Sequence, residues 1–159
     1  MWSVDLTLEQ AGFFRAFADF TANGNALTLG VDIVAEGELR LSDVQETNAI
    51  ARTDGYEVAT EPERLAVGRP STLAFAVRRD GHPVEDLEPY LGAMGHLVAL
   101  RRGDVAYLHV HPMAYGRPGV IEFHTEFPTA GQYRLFLQFA HAGEVRTVDF
   151  ETRVEYGVP

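Results

Sequence analysis

Two histidines two residues apart, followed by a methionine, form "YLHVHPM" at residues 107–113. A little upstream, "AMGHLV" supplies Met94 and His96. Imidazole nitrogen suits Cu(II) and Zn(II), and thioether sulfur favours Cu(I). A hairpin turning at Arg102-Gly103 would set His96 opposite His109 and Met94 opposite His111. Opposed residues share a face, with Cβ atoms about 5 Å apart, and alternation puts His109 and His111 on that face together. Met113 comes after Pro112, which interrupts strand pairing. The candidate ligand set is therefore His96, His109, His111, Met94 and Met113, for copper or zinc. Glu88 and His124 are additional candidates whose spacing fixes nothing. Only neutral imidazole ligates, so binding should weaken below roughly pH 6.

A second reading needs no metal. Alternating histidines on a strand are satisfied by backbone carbonyls or by Tyr107, opposed histidines stack on one another, and Met94 and Met113 serve as packing residues. A register slip of one residue would separate His96 from the others.

The remaining constellations carry less chemistry. Asp86 and Glu88 lie two apart, a spacing open to acid–base work but typical of a solvated turn or helix start. Ser71 and Thr72 have no adjacent base. No glycine pattern matches a dinucleotide or phosphate loop. His82 and His141 fall in turns and read as surface residues, and the Arg78-Arg79 and Arg101-Arg102 pairs read as solvated strand ends. Tyr133 in "AGQYRLF" fits the corner tyrosine that opens the penultimate strand of a sandwich. Without a nucleophile, base and oxyanion set, enzymatic function has the least support.

Composition narrows the classes. The 159 residues carry 13 arginines, no lysine, 23 acidic residues and a net charge of −10. Scattered acidity argues against nucleic acid and anionic membranes as partners. A hydrophobic fraction of 46% supports a packed core. The absence of cysteine removes disulfides, thiolate zinc sites and thiol nucleophiles. No apolar run reaches the roughly 20 residues of a membrane span. "MWSVDLTLEQ" lacks the basic and apolar regions of a signal peptide.

Elements that position the histidines are strands. "GYEVAT", "STLAFAVRRDGHPV", "HLVALRRGDVAYLHVHP", "GVIEFHTEF" and "YRLFLQFAHAGEVRTVDFETRVE" alternate apolar and polar residues between Gly and Pro turns. One helical turn is expected at "VEDLEPYLG", limited by Pro89. The pattern predicts an all-β chain with an immunoglobulin-like antiparallel β-sandwich.

An internal repeat sets the organisation. With a shift of 119 residues, "AGFFRAFADFTANGNALTLGVDIVAE" lies on "AGQYRLFLQFAHAGEVRTVDFETRVE" with eight identities in 26 positions, where composition alone gives about two. Trp2, Val4 and Leu8 fall on Ile121, Phe123 and Phe127. Residues 1–37 thus read as a partial repeat holding the last three strands of a preceding sandwich. Residues 38–53 read as a linker, and residues 54–159 as a complete sandwich. Three strands cannot bury both faces alone, so the partial repeat calls for a partner sandwich domain, a second copy of the chain, or packing as an extra layer.

"LEPYLGAMGHLVALRRGDVAYLHVHP", "DGYEV" and "FPTAGQYRLFLQFAHAGEVRTVDF" resemble secreted or membrane-anchored bacterial proteins of unassigned activity with tandem immunoglobulin-like domains. Some of these are related to copper handling. The resemblance implies an extracytoplasmic location and a first domain, with its own His-x-His-Pro element, of which this sequence holds only the end. Two functions follow as expectations: a non-enzymatic sandwich that binds copper or another transition metal, or an interaction module that self-associates through its N-terminal strands.

Overall fold

In a computed structural model that describes residues 3–38, 47–61, 64–108, 110–113 and 117–157, the chain is all-β. It divides into two compact units, residues 1–44 and 45–159. Among the described residues no helix is long and apolar enough to cross a membrane.

The first unit holds β1 (Gly12–Ala22) and β2 (Asn25–Ala35), an antiparallel hairpin. Its turn residues Asn23 and Gly24 have φ of 52° and 79°. Positive φ at both central positions gives the turn that matches strand twist.

The second unit is a sandwich of two sheets. Its strands are β3 (Ile50–Thr53), β4 (Tyr56–Glu61), β5 (Leu65–Ala66), β6 (Pro70–Arg79), β7 (His82–Pro83), β8 (His96–Arg101), β9 (Tyr107–Leu108), β10 (His111–Pro112), β11 (Val120–Glu126), β12 (Gly131–His141) and β13 (Glu144–Glu155). One sheet runs β10-β11-β6-β4-β3, with β7 paired to β6, and the other runs β5-β13-β12-β8-β9. Alternation decides the inner faces. Tyr133, Leu135, Leu137 and Phe139 of β12 and Val148, Phe150 and Val154 of β13 are buried against Tyr56, Val58, Leu73, Phe75, Val77, Ile121 and Phe123 of the facing sheet. Phe75 joins the layers, with its ring centroid 5.9 Å from Phe123 and 5.3 Å from Phe150. Tyr133 is the expected corner: its hydroxyl donates to the Thr129 carbonyl at 3.0 Å.

The two hairpins β1–β2 and β12–β13 match in detail. β12 and β13 follow β1 and β2 at an offset of 119 with the same register, Gly12↔Ala35 against Gly131↔Val154. Ala142 and Gly143 reproduce the turn, at 54° and 75°. The Asp19–Thr28 hydrogen bond recurs as Gln138–Thr147. The Arg15–Asp32 ion pair at 3.3 Å recurs as Arg134–Glu151 at 3.7 Å. Arg15 lies over Phe17 as Arg134 lies over Phe136.

Three expectations are corrected. Among its described residues the first unit has two strands, not three: residues 3–7, which align with 122–126 of β11, form none. In the second unit β11 pairs with β6 and β10, and residues 1–36, which align with 120–155, include no counterpart of either strand. The helical turn at "VEDLEPYLG" is instead a Tyr90↔Ala93 bridge around Leu91 and Gly92, both at positive φ. The linker assigned to 38–53 ends early, because Ile50–Thr53 is β3. Before it, Asn48 fastens to β13: its N–H donates to the Glu151 carbonyl at 3.0 Å, and its Oδ1 accepts from the Glu151 N–H at 2.6 Å. Residues 39–46 of that stretch lie outside the described residues.

Glu151 is 2% exposed. Arg102, reaching across from the end of β8, donates to it twice, at 2.9 and 2.5 Å. Removing one partner of such a pair strands a buried charge. Because the Arg102 side chain remains 32% exposed, solvent screens part of the cost. Glu151→Ala is expected to lower unfolding stability by about 2 kcal/mol. The repeat-equivalent Asp32→Ala, at a side chain 76% exposed, should cost less than about 0.5 kcal/mol. Urea midpoints at unchanged slope measure both; equal costs would refute the assignment.

Candidate metal site

The hairpin carrying His96 has a wider loop than its sequence suggests. The observed pairs are Ala99↔Leu108 and Leu100↔Tyr107, and the Arg101 N–H donates to the Ala106 carbonyl at 2.9 Å. Four residues, 102–105, therefore make the loop where two were expected. Asp104 causes the difference. Its carboxylate accepts from Arg101 Nε at 3.0 Å and from the Ala106 N–H at 3.2 Å, and Arg101 Nη2 makes a second ion-pair contact. Val105 takes a φ of 52° to close the loop.

The shift dissolves the expected opposition of His96 with His109 and of Met94 with His111. Pairing of β8 with β9 ends at Leu108, and His111 pairs with His124 in the other sheet. The chain changes sheets there, with Val110 buried in the core. Leu97 and Ala99 are buried, so alternation sends His96 to the outer face of the five-stranded sheet, opposite Gln138. Phe123 and Thr125 are buried, so His124 and its partner His111 stand on the outer face of the six-stranded sheet. Stacked sheets lie about 10 Å apart, so His96 and His111 cannot reach one ion. Met94 packs against the core and leaves the ligand set. His109 lies outside the described residues. Glu88 is engaged elsewhere, its carboxylate accepting from the Gly143 N–H at 3.1 Å.

A smaller donor group remains. His111 faces His124 directly across β10 and β11. The Met113 N–H donates to the Glu122 carbonyl at 2.8 Å and continues that register, so Met113 falls two residues along from His111 on the same face, exposed. Glu122 is paired with Arg117 at 3.8 Å. The donor atoms on this face are the nitrogens of two imidazoles and one thioether sulfur. Among the described residues no three His, Cys, Asp or Glu side chains gather closely enough to hold an ion.

One polar cluster escaped sequence reasoning. His141 has its Nδ1 2.6 Å from the Tyr56 hydroxyl and its Nε2 3.0 Å from Asp86 Oδ1. Its side chain is mostly buried, although its position beside a turn suggested surface. Tyr56 belongs to one sheet and His141 to the other, so the contact bridges the layers at one end of the sandwich. Arg146 and Arg79 lie over the Tyr56 ring at 4.5 and 5.2 Å. With every ring nitrogen engaged and both cations stacked, the cluster reads as a structural clamp. A cleft of about 440 Å³ between Arg52 and Gly81 is lined by charges of both signs and brings no donor set together.

Residues 51–156 match the family described as "Domain of unknown function (DUF8832)". No match was found among curated proteins. Solved structures similar to the chain include the PmoD soluble domain from Methylocystis sp., at 11% identity and a TM-score of 0.46. That likeness covers 67% of this chain and 98% of the other. The Lin-41 filamin domain follows at 10% identity and a TM-score of 0.44, covering 68% and 99%.

The hydrogen bonds from Arg101 hold the Asp104 carboxyl down at about 2, below its usual 3.8. A carboxylate with a depressed folded-state pKa contributes stability above its unfolded value and loses it as the pH falls through the folded one. The stability difference between the wild type and Asp104→Asn should therefore be present at pH 5, shrink as the pH falls below about 4, and be lost only below about pH 2. Thermal melts from pH 5 to below pH 2 measure it; a difference undiminished between pH 5 and pH 2 would contradict the loop geometry.

Proposed function

We propose that this chain, which belongs to the DUF8832 family, is a non-catalytic β-sandwich that binds a soft transition-metal ion, Cu(I), on the outer face of its six-stranded sheet. His111 and His124 would supply imidazole nitrogens and Met113 the thioether. The observation that carries the reading is the direct opposition of His111 and His124 across β10 and β11. Opposed Cβ atoms about 5 Å apart allow two rings to converge on one ion. Uncharged nitrogen and sulfur donors select Cu(I) over harder ions, and Glu122, which pairs with Met113 in this register, is engaged by Arg117. An extracytoplasmic location, implied by the family resemblance, is part of the proposal. In this reading the protein stores or hands on the ion.

An imidazole must shed its proton to ligate. Binding should therefore weaken as the pH is lowered and protons compete for the ring nitrogens. Competition for Cu(I) against a chromophoric chelator under reducing conditions tests the site. One equivalent should bind. His111→Ala and His124→Ala should each weaken binding at least about tenfold, the effect of losing one ligand of few, while His96→Ala leaves it unchanged. Met113→Leu should weaken Cu(I) and spare Zn(II). Loss of binding on His96→Ala, or no stoichiometric uptake by the wild type, would reject the proposal.

A further inference from the structure

The N-terminal hairpin has two unlike faces. One is mixed: Arg15 pairs with Asp32 and Asp19 accepts from Thr28, beside Phe17 and the exposed Phe13 and Val34. The other carries Phe14, Ala16, Ala18 and Phe20 from β1, opposite Ile33, Val31, Leu29 and Leu27 from β2. All eight are apolar. The repeat identifies this second face. At the offset of 119, Phe14, Ala16, Ala18 and Phe20 correspond to Tyr133, Leu135, Leu137 and Phe139, and Leu29 and Val31 correspond to Val148 and Phe150. In the sandwich these counterparts lie under the facing sheet and are at most 4% exposed. In the hairpin Leu29 is 63% exposed and Val31 59%. Phe20 and Leu27 are exposed as well, while Phe14, Ala16 and Ile33 are half-buried. Much of an inward sandwich face is thus open to solvent.

We infer that this face is a homodimer interface, covered by the same hairpin of a second copy of the chain. Shape favours that occupant. A two-fold axis parallel to the strands, midway between stacked faces, lays each β1 over the partner's β2 at the same level. Ala18 then meets the partner's Leu29, and Ala16 meets the partner's Val31. At the ends Phe20 meets the partner's Leu27, and Phe14 the partner's Ile33. Small residues stand over large ones through the middle of the interface, the arrangement by which sheet layers interdigitate. Area is sufficient. Two strands of 11 residues span about 37 Å by 10 Å. Stacking two such faces removes on the order of 1,000 Å² of accessible surface, the lower bound for a specific interface. Two strands alone are marginal in water, whereas four in two layers bury an apolar interior.

Sedimentation equilibrium on the full chain at micromolar concentration tests the interface. The expected mass is twice the 17.6 kDa of one chain. Val31→Asp and, independently, Leu29→Asp should raise the dissociation constant at least about a hundredfold, since each buries an unpaired charge at the interface centre. Both should leave the melting transition of residues 45–159 in place. Phe13→Ser removes an 84%-exposed phenyl from the opposite face and should leave the dimer intact, which separates a specific face from general stickiness. A monomer at 100 µM, a dimer that survives both aspartate variants, or dissociation by Phe13→Ser would overturn the inference.

Discussion

A sheet with one apolar face is stable only when another apolar face lies on it. The second unit meets that constraint around Phe75, whose ring touches Phe123 within its own sheet and Phe150 across the layer. Burial of each large side chain contributes about 1.5–3 kcal/mol, so these inner positions hold the two sheets together. Everything polar is arranged around that contact. Asn48 pins the entry to β3 onto β13, and the Tyr56–His141 contact ties the layers at one end. Arg102 crosses the outer face to the buried Glu151. Gly95 shows how tightly the layers meet: a Cβ there would lie 2.9 Å from Ile121 of the facing sheet, so only hydrogen fits just before His96.

The same constraint moved the candidate ligands. Once Leu97 and Ala99 face inward, His96 must face outward on its own sheet. When the chain crosses to the other sheet at Val110, His111 must take a register with His124. The donors that remain together do so because β10 is an edge strand, the place where Pro112 is tolerated. Proline next to a histidine is thus part of what brings this pair to an accessible edge.

Strand alternation, the offset of 119 and the corner tyrosine were all legible in the sequence, because each depends on spacing along the chain alone. What stayed hidden depends on side chains reaching across loops. Arg102-Gly103 looks like a two-residue turn, yet the Asp104 carboxylate, bonded to Arg101 and to the Ala106 N–H, closes a four-residue loop instead. That two-residue difference displaced the expected histidine register. The crossing at Val110 was hidden too, because a residue buried between layers alternates as smoothly as one within a strand. Local pattern suggested surface for His141, and only its long-range partners, Tyr56 and Asp86, draw it inward.

Comparing the two copies of the hairpin separates what its sequence supplies from what its surroundings supply. Turn geometry, register and outer-face pairs are the same in both copies, so they come from the hairpin itself. Burial is not the same. Asp32 is exposed where its counterpart Glu151 is enclosed by Arg102, a residue from outside the hairpin. Leu29 and Val31 are exposed where Val148 and Phe150 are covered. β12 has β8 along one side and β13 has β5 along the other, and residues 1–36 contain no equivalent of either. A hairpin that keeps its register through its own turn and pairs still presents an apolar face in one register. The order of large and small side chains on that face is therefore settled before anything docks on it.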